Sequence, residues 1–257
     1  MKNSNMKILN FIKAFAFLSA AFFSVLLLAS ARRPTPPADL QLLEQWKAGN
    51  VVSAEAVQAY GIDRCFVSVP IPDAVWGRMQ GKSFKDNPHI KRDDLLYLKV
   101  LHYDYDKCIH VGEMVCNRLI AERLIEIFRL LYDANYPIQR MVLPDNYNAD
   151  DETQMRANNT SCFCYRAVAG SGSLSRHALG MAVDINPLYN PYYKVRANGK
   201  KFVQPSTAGQ YCDRNKNFRY KIHRGDLAYK LFTERGFVWG GDWRSCKDFQ
   251  HFEMRKK

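Results

Sequence analysis

The 257-residue sequence has no C-x-x-C pair, no internal repeat, no arginine-rich run and no regular alternation of strand and helix patterns. Without C-x-x-C, a structural cysteine-zinc site is excluded as the organising element. Without a repeat, solenoids and propellers are excluded. The missing β-α alternation argues against a parallel doubly wound sheet and leaves a mixed α+β domain. The net charge of +12 comes with no nucleic-acid motif. It points to a well-solvated basic surface or to contact with anionic wall polymers and membrane surfaces, and not to nucleic acid as a partner.

Acidic residues are also missing from the first 31 positions, which carry Lys2, Lys7 and Lys13 and then an apolar run from Ala14 to Ala31. The run ends in Ala29-Ser30-Ala31, the small-x-small pattern of a signal cleavage site. Residues 1–31 therefore read as a secretion signal. The alternative is an uncleaved N-terminal membrane anchor, since eighteen residues is near the lower limit for spanning a bilayer. Both readings place the rest of the chain outside the cytoplasm, in the periplasm or at the cell envelope. Removal of the three lysines would leave a net charge of +9.

Seven cysteines (Cys65, Cys108, Cys116, Cys162, Cys164, Cys212, Cys246) are many for this length. An oxidising compartment permits disulfides, but the odd count leaves at least one unpaired. The spacing does not define the pairs.

A Pro-rich tether occupies residues 32–38. Residues 39–135 read as the N-terminal helical and hairpin part of the domain, and 136–257 as the catalytic region. Short helices are expected around Leu40–Lys47 and Ser53–Ala59, the second with a Ser N-cap and a Gly61 stop. Residues 64–94 read as irregular because Pro70, Pro72 and Pro88 break any long element. Leu95 to Val115 reads as a β-hairpin turning at Asp104-Tyr105-Asp106-Lys107. Ile120, Leu124, Ile127, Phe128 and Leu131 then form one helical apolar stripe. Arg118, Glu122, Glu126, Arg129 and Asp133 lie opposite, where Arg118–Glu122 and Glu126–Arg129 pairs are expected. Strands are expected at Ile138–Val142, Phe163–Val168, Met181–Asn186 and Phe249–Met254, and a helix from Asp226 to Arg235 stopped by Gly236.

The chemistry is concentrated in two segments. In Ser175-Arg176-His177-Ala178-Leu179-Gly180-Met181-Ala182-Val183-Asp184-Ile185, a polar turn leads into a strand. Period-two alternation puts Ala182 and Asp184 on one face, with Met181, Val183 and Ile185 on the other. His177 can fold back to Asp184 through the flexible Gly180. An imidazole and a carboxylate together suit zinc, although a structural His–Asp hydrogen bond is the better explanation of that pair taken in isolation. The second segment, Trp239-Gly240-Gly241-Asp242-Trp243 followed by Asp248-Phe249-Gln250-His251-Phe252-Glu253, supplies a third candidate ligand in His251. Three protein ligands leave a fourth position open for water, the arrangement of a catalytic zinc. Asp248 would stand on the loop leading in and take a proton from that water. The bland alternative makes Asp248 a loop residue and His251 a packed aromatic neighbour. His89, His102, His110 and His223 match no ligand spacing.

The Ser-x-His-x-x-Gly-x-Ala-x-Asp pattern followed by Asp-x-x-His-Phe-Glu resembles the VanY-type D-alanyl-D-alanine carboxypeptidases. Their relatives are D-Ala-D-Ala dipeptidases and phage L-alanyl-D-glutamate endopeptidases. The resemblance spans about residues 140–254 and includes Asn158-Asn159-Thr160-Ser161, Tyr165-Arg166 and Asn190-Pro191-Tyr192. It implies the α+β hedgehog/DD-peptidase fold, a small antiparallel sheet with packed helices. It also implies a Zn2+ cofactor on His177, Asp184 and His251, and Asp248 as catalytic base. Arg166 would polarise the scissile carbonyl, with a structural arginine as the alternative. Ser175 would contact substrate, with a turn-capping hydroxyl as the alternative. The substrates implied are peptidoglycan stem peptides. Asp at 248 is similar to the endopeptidase branch, whereas the carboxypeptidase and dipeptidase branches usually carry Glu there, so the cleaved bond stays open. A rival reading is a zinc-containing wall-binding module without catalysis.

Overall fold

In the computed structural model, residues 36–168 and 172–254 are described. The signal or anchor segment and most of the Pro-rich tether lie outside them. Among the described residues no helix is long and apolar enough to cross a membrane.

The first layer grows from the longest alternating segment. β3 (Leu95–Tyr103) and β4 (Ile109–Asn117) form the expected hairpin, in register from Leu95↔Asn117 to Tyr103↔Ile109. β1 (Val51–Val52) adds to β4 and β2 (Val67–Val69) to β3, giving an antiparallel sheet ordered β1-β4-β3-β2. Among the described residues, three α-helices precede the hairpin: α1 (Leu40–Glu44), α2 (Ala54–Tyr60) and α3 (Asp73–Met79). The Ser53 side chain caps α2 by accepting from the Ala56 N–H, and Gly61 ends it. The segment 64–94 is more ordered than its prolines imply. Pro72 sits at the N-cap of α3, where proline starts a helix without breaking one.

α4 (Arg118–Asp133) buries the predicted stripe of Ile120, Leu124, Ile127, Phe128 and Leu131. Its charged face pairs differently from expectation. Glu126 meets Arg235 at 2.6 Å, and Arg129 meets Asp133 and Asp63, each at 3.0 Å. Tertiary partners thus displace the local i, i+3 pair. Phe128 touches Phe232 of α6 (Leu227–Glu234) edge-on, and Phe232 stacks on Phe252 at 4.5 Å. This run of rings ties the long helix to the strand that carries His251.

That strand, β10 (His251–Met254), is the centre of a second antiparallel sheet, between β5 (Ala182–Asp184) and β8 (Phe237–Trp239). A third sheet joins β6 (Tyr192–Val195), β7 (Lys201–Gln204) and β9 (Lys247–Asp248). The architecture is α+β with small antiparallel sheets. Neither 138–142 nor 163–168 is a regular strand. Each segment makes isolated bridges, such as Arg140↔Asn159 and Ala167↔Leu174, and no continuous ladder. α5 (Asp151–Arg156) starts on an Asp150 N-cap. The hairpin of β6 and β7 has no counterpart in the sequence-based expectations.

Gly180 joins the first two sheets. Its φ is +63°, its carbonyl accepts from the Asn117 N–H, and a Cβ there would lie 2.6 Å from that nitrogen. Gly180→Ala therefore meets both a left-handed backbone and a backbone clash. A loss of at least about 2 kcal/mol is expected, read as a lower urea midpoint with unchanged slope. An unchanged midpoint would contradict this packing.

Candidate metal centre

The pairing of β5 with β10 places His251 directly opposite Asp184. Ala182, Val183 and Ile185 are fully buried, which fixes the strand's rotation and leaves the Asp184 carboxylate aimed at His251. His177 arrives from a single 3-10 turn, His177–Leu179, ended by left-handed Gly180. Its Nδ1 lies 2.7 Å from the Cys162 carbonyl. A carbonyl only accepts, so Nδ1 carries the hydrogen and Nε2 is left for a ligand.

Three donor atoms converge. His177 Nε2 lies 3.1 Å from His251 Nδ1 and 3.2 Å from Asp184 Oδ2, and His251 Nδ1 lies 3.1 Å from Asp184 Oδ1. Ligand atoms of all three residues fall within 4.8 Å of one another, the one such His/Cys/Asp/Glu group among the described residues. Two imidazole nitrogens and a carboxylate oxygen form a donor set that fits zinc, with a position left for water or substrate. The other nitrogen of His251 lies 3.2 Å from Glu253 Oε2, so both rings are oriented by an outer acceptor.

The cluster opens onto a cavity of about 850 Å³ that Asp248, Arg166 and Ser175 also line. Asp248 is on β9 opposite Tyr192, a two-residue strand where a loop was expected. Its Oδ1 is buried without a hydrogen-bond partner. Gly240 makes this approach possible, since a Cβ there would stand 2.8 Å from Asp248 Cβ and 3.3 Å from His251 Cβ. Arg166 Nε is 2.6 Å from Asp151 Oδ2, an ion pair whose angles are poor for a hydrogen bond. Gln154 Nε2 donates to the other Asp151 oxygen at 2.9 Å. Ser175 Oγ accepts from the His177 N–H at 3.2 Å, so its hydroxyl caps the ligand-bearing turn as well as facing the cavity.

Packing these groups together shifts their ionisation. Burial works against the charged form of Asp184, but His177 and His251 overcome it and hold its carboxyl far below the usual range. Burial likewise disfavours the charged form of His251, yet hydrogen bonds to Asp184 and Glu253 raise it to about 10. Burial pushes Asp248 up to about 6 against the pull of His251, with Asp184 adding to the rise.

The structure brings together every residue singled out from sequence: His177, Asp184, His251, Asp248, Arg166 and Ser175. It adds Glu253, Gly240 and Asp151. Glu253 was findable, because it is two residues beyond His251 and shares its face of a strand. Asp151 had no sequence signal, being the first residue of a short polar helix. Arg214 is also new. Its guanidinium donates to the Tyr189, Tyr211 and Ile222 carbonyls and to Asn190 Oδ1, and lies 4.3 Å from the Phe249 ring centroid. It clamps the 186–222 segment beside Asp248.

Residues 169–254 match a family model described as D-alanyl-D-alanine carboxypeptidase, a stretch that is less than half of the chain. No curated protein and no solved structure matches the chain.

A proton on His251 must leave before its Nδ1 can hold a metal. Zinc titration by calorimetry in buffers of different ionisation enthalpy should show release of at least one proton per ion between pH 6 and 8. Apparent affinity should rise about tenfold per pH unit for each proton released. A pH-independent affinity would contradict the protonation described for His251.

Proposed function

We propose that this chain is an exported zinc metallopeptidase that hydrolyses amide bonds in peptidoglycan stem peptides. One observation carries the reading. A two-histidine, one-aspartate donor set shares a cavity with a buried, unpartnered carboxylate, inside the stretch that matches the D-alanyl-D-alanine carboxypeptidase model. Export is supported by the lysine-bearing, acid-free apolar segment at residues 1–31.

His177 Nε2, an Asp184 carboxylate oxygen and His251 Nδ1 would hold the ion. Bound there, zinc supplies Lewis acidity, polarising a carbonyl and bringing the pKa of a water towards about 7. Asp248 is the base: its free Oδ1 takes the proton of the attacking water and returns it to the leaving amine. With a carboxyl at about 6 before metal is bound, Asp248 is ionised at neutral pH yet basic enough to accept. Arg166 steadies the negative charge that grows on the carbonyl oxygen. Asp151 fixes the guanidinium through Nε, which leaves its two terminal nitrogens for that oxygen. Ser175 keeps the His177 turn closed beside the substrate.

Two bonds suit this chemistry. One is the terminal D-Ala-D-Ala linkage named by the matching family model. The other is the L-Ala-D-Glu linkage of the endopeptidases that share Asp at the position of Asp248. Mass spectrometry of a muropeptide digest incubated with the zinc-loaded protein decides between them: loss of D-Ala marks the first, a cut after L-Ala the second. His177→Ala and His251→Ala should lose zinc and turnover together. Asp248→Ala should keep its zinc and lose about 10²–10⁴-fold in turnover. No cleavage by the zinc-loaded native protein, with muropeptide binding retained, would replace this reading with that of a wall-binding module.

A further inference from the structure

The β6–β7 hairpin forms one wall of the cavity. Tyr192, Lys194 and Arg196 follow one another at every second residue along β6 and its turn, so they share a side of the strand. Their cross-strand partners Phe202, opposite Lys194, and Gln204, opposite Tyr192, line the same cavity. Lys194 and Arg196 are exposed and make no ion pair among the described residues. Arg196 lies over the Phe202 ring, 4.9 Å from its centroid, which holds its guanidinium against the wall.

Apart from the unpartnered Asp248 carboxylate, the other charged groups of the lining face protein partners. Asp184 and Glu253 face the two histidines, Asp151 faces Arg166, and Arg176 donates to the Met254 carbonyl. The two hairpin cations are therefore the positive charges of this cavity without a protein acceptor. Lys194 is on β6 and Arg196 just past its end, in a different sheet from Asp184 and His251.

We propose that Lys194 and Arg196 form a carboxylate subsite that takes an acidic group of the peptide away from the scissile bond. The proposal rests on the peptidase reading for its substrate class, but the subsite is a binding device and is tested without turnover. The shared chemistry is a peptide carboxylate, either the chain's C-terminal group or the free α-carboxylate of its D-glutamate. Phe202 and Tyr192 would pack against the apolar part of the same residue.

The test uses zinc-loaded Asp248→Ala protein and three forms of one synthetic stem pentapeptide ending in D-Ala-D-Ala. These are the free acid, the C-terminal amide and the form amidated on D-glutamate. Binding is measured by calorimetry at low and at 0.5 M salt. The free acid should bind more tightly than one of the two amides by roughly three- to tenfold at low salt, and the amide that loses affinity identifies the carboxylate. Adding Lys194→Ala and Arg196→Ala should remove this preference while zinc content and thermal midpoint stay unchanged. High salt should shrink it. Equal binding of all three peptides, or a preference that survives the double substitution, overturns the subsite. Hairpin-dependent preference in a native protein that cleaves nothing would leave the subsite standing and remove the peptidase reading alone.

Discussion

Two imidazole rings and a carboxylate held within 4.8 Å of one another, nearly out of water, form the constraint on which the rest of the structure depends. Such a cluster is costly unless every remaining polar atom is held. The surrounding fold supplies those partners. The Cys162 carbonyl takes His177 Nδ1, Glu253 takes His251 Nε2, and Ser175 takes the His177 backbone N–H. Hydrogen bonds to Asp184 and Glu253 favour a proton on His251, and a divalent cation held there would put a larger positive charge at the same point.

The construction explains why three small sheets surround one site. The β5–β10 register sets Asp184 against His251, and a one-residue slip would turn one of them away. The hairpin of β3 and β4 supplies Asn117, whose backbone N–H anchors Gly180 and with it the turn of His177. β9, paired to β6, brings Asp248 from a separate sheet, and Gly240 removes the side chain that would hold it off. Asp248, the proposed base, thus comes from a different sheet from Asp184 and His251, and His177 joins them from its own turn. Asp248 keeps a free oxygen where the ligands keep none.

Much of this was legible in the chain. The α4 stripe, the long hairpin and the two motifs around His177 and His251 were readable because each rests on a local period or a fixed spacing. The segment 64–94 was misread because proline marks a helix start as well as a break. The single-bridge stretches at 138–142 and 163–168 have strand composition without a continuous partner, and pairing is a tertiary property. The α4 ion pairs went elsewhere for the same reason: Arg235 and Asp63 are distant in sequence. Within the site, spacing revealed the candidate ligands and Asp248. Asp151, Gly240 and Arg214 act through contacts between segments that no local pattern encodes.

The central claim is that His177, Asp184 and His251 hold one zinc ion while Asp248 stays off it. Anomalous diffraction at the zinc edge from crystals of the zinc-loaded protein tests this directly. The account predicts a single peak bonded to His177 Nε2, an Asp184 oxygen and His251 Nδ1 at about 2.0–2.2 Å, with Asp248 unbonded. A peak elsewhere, or one with Asp248 or Glu253 as a further ligand, would contradict it.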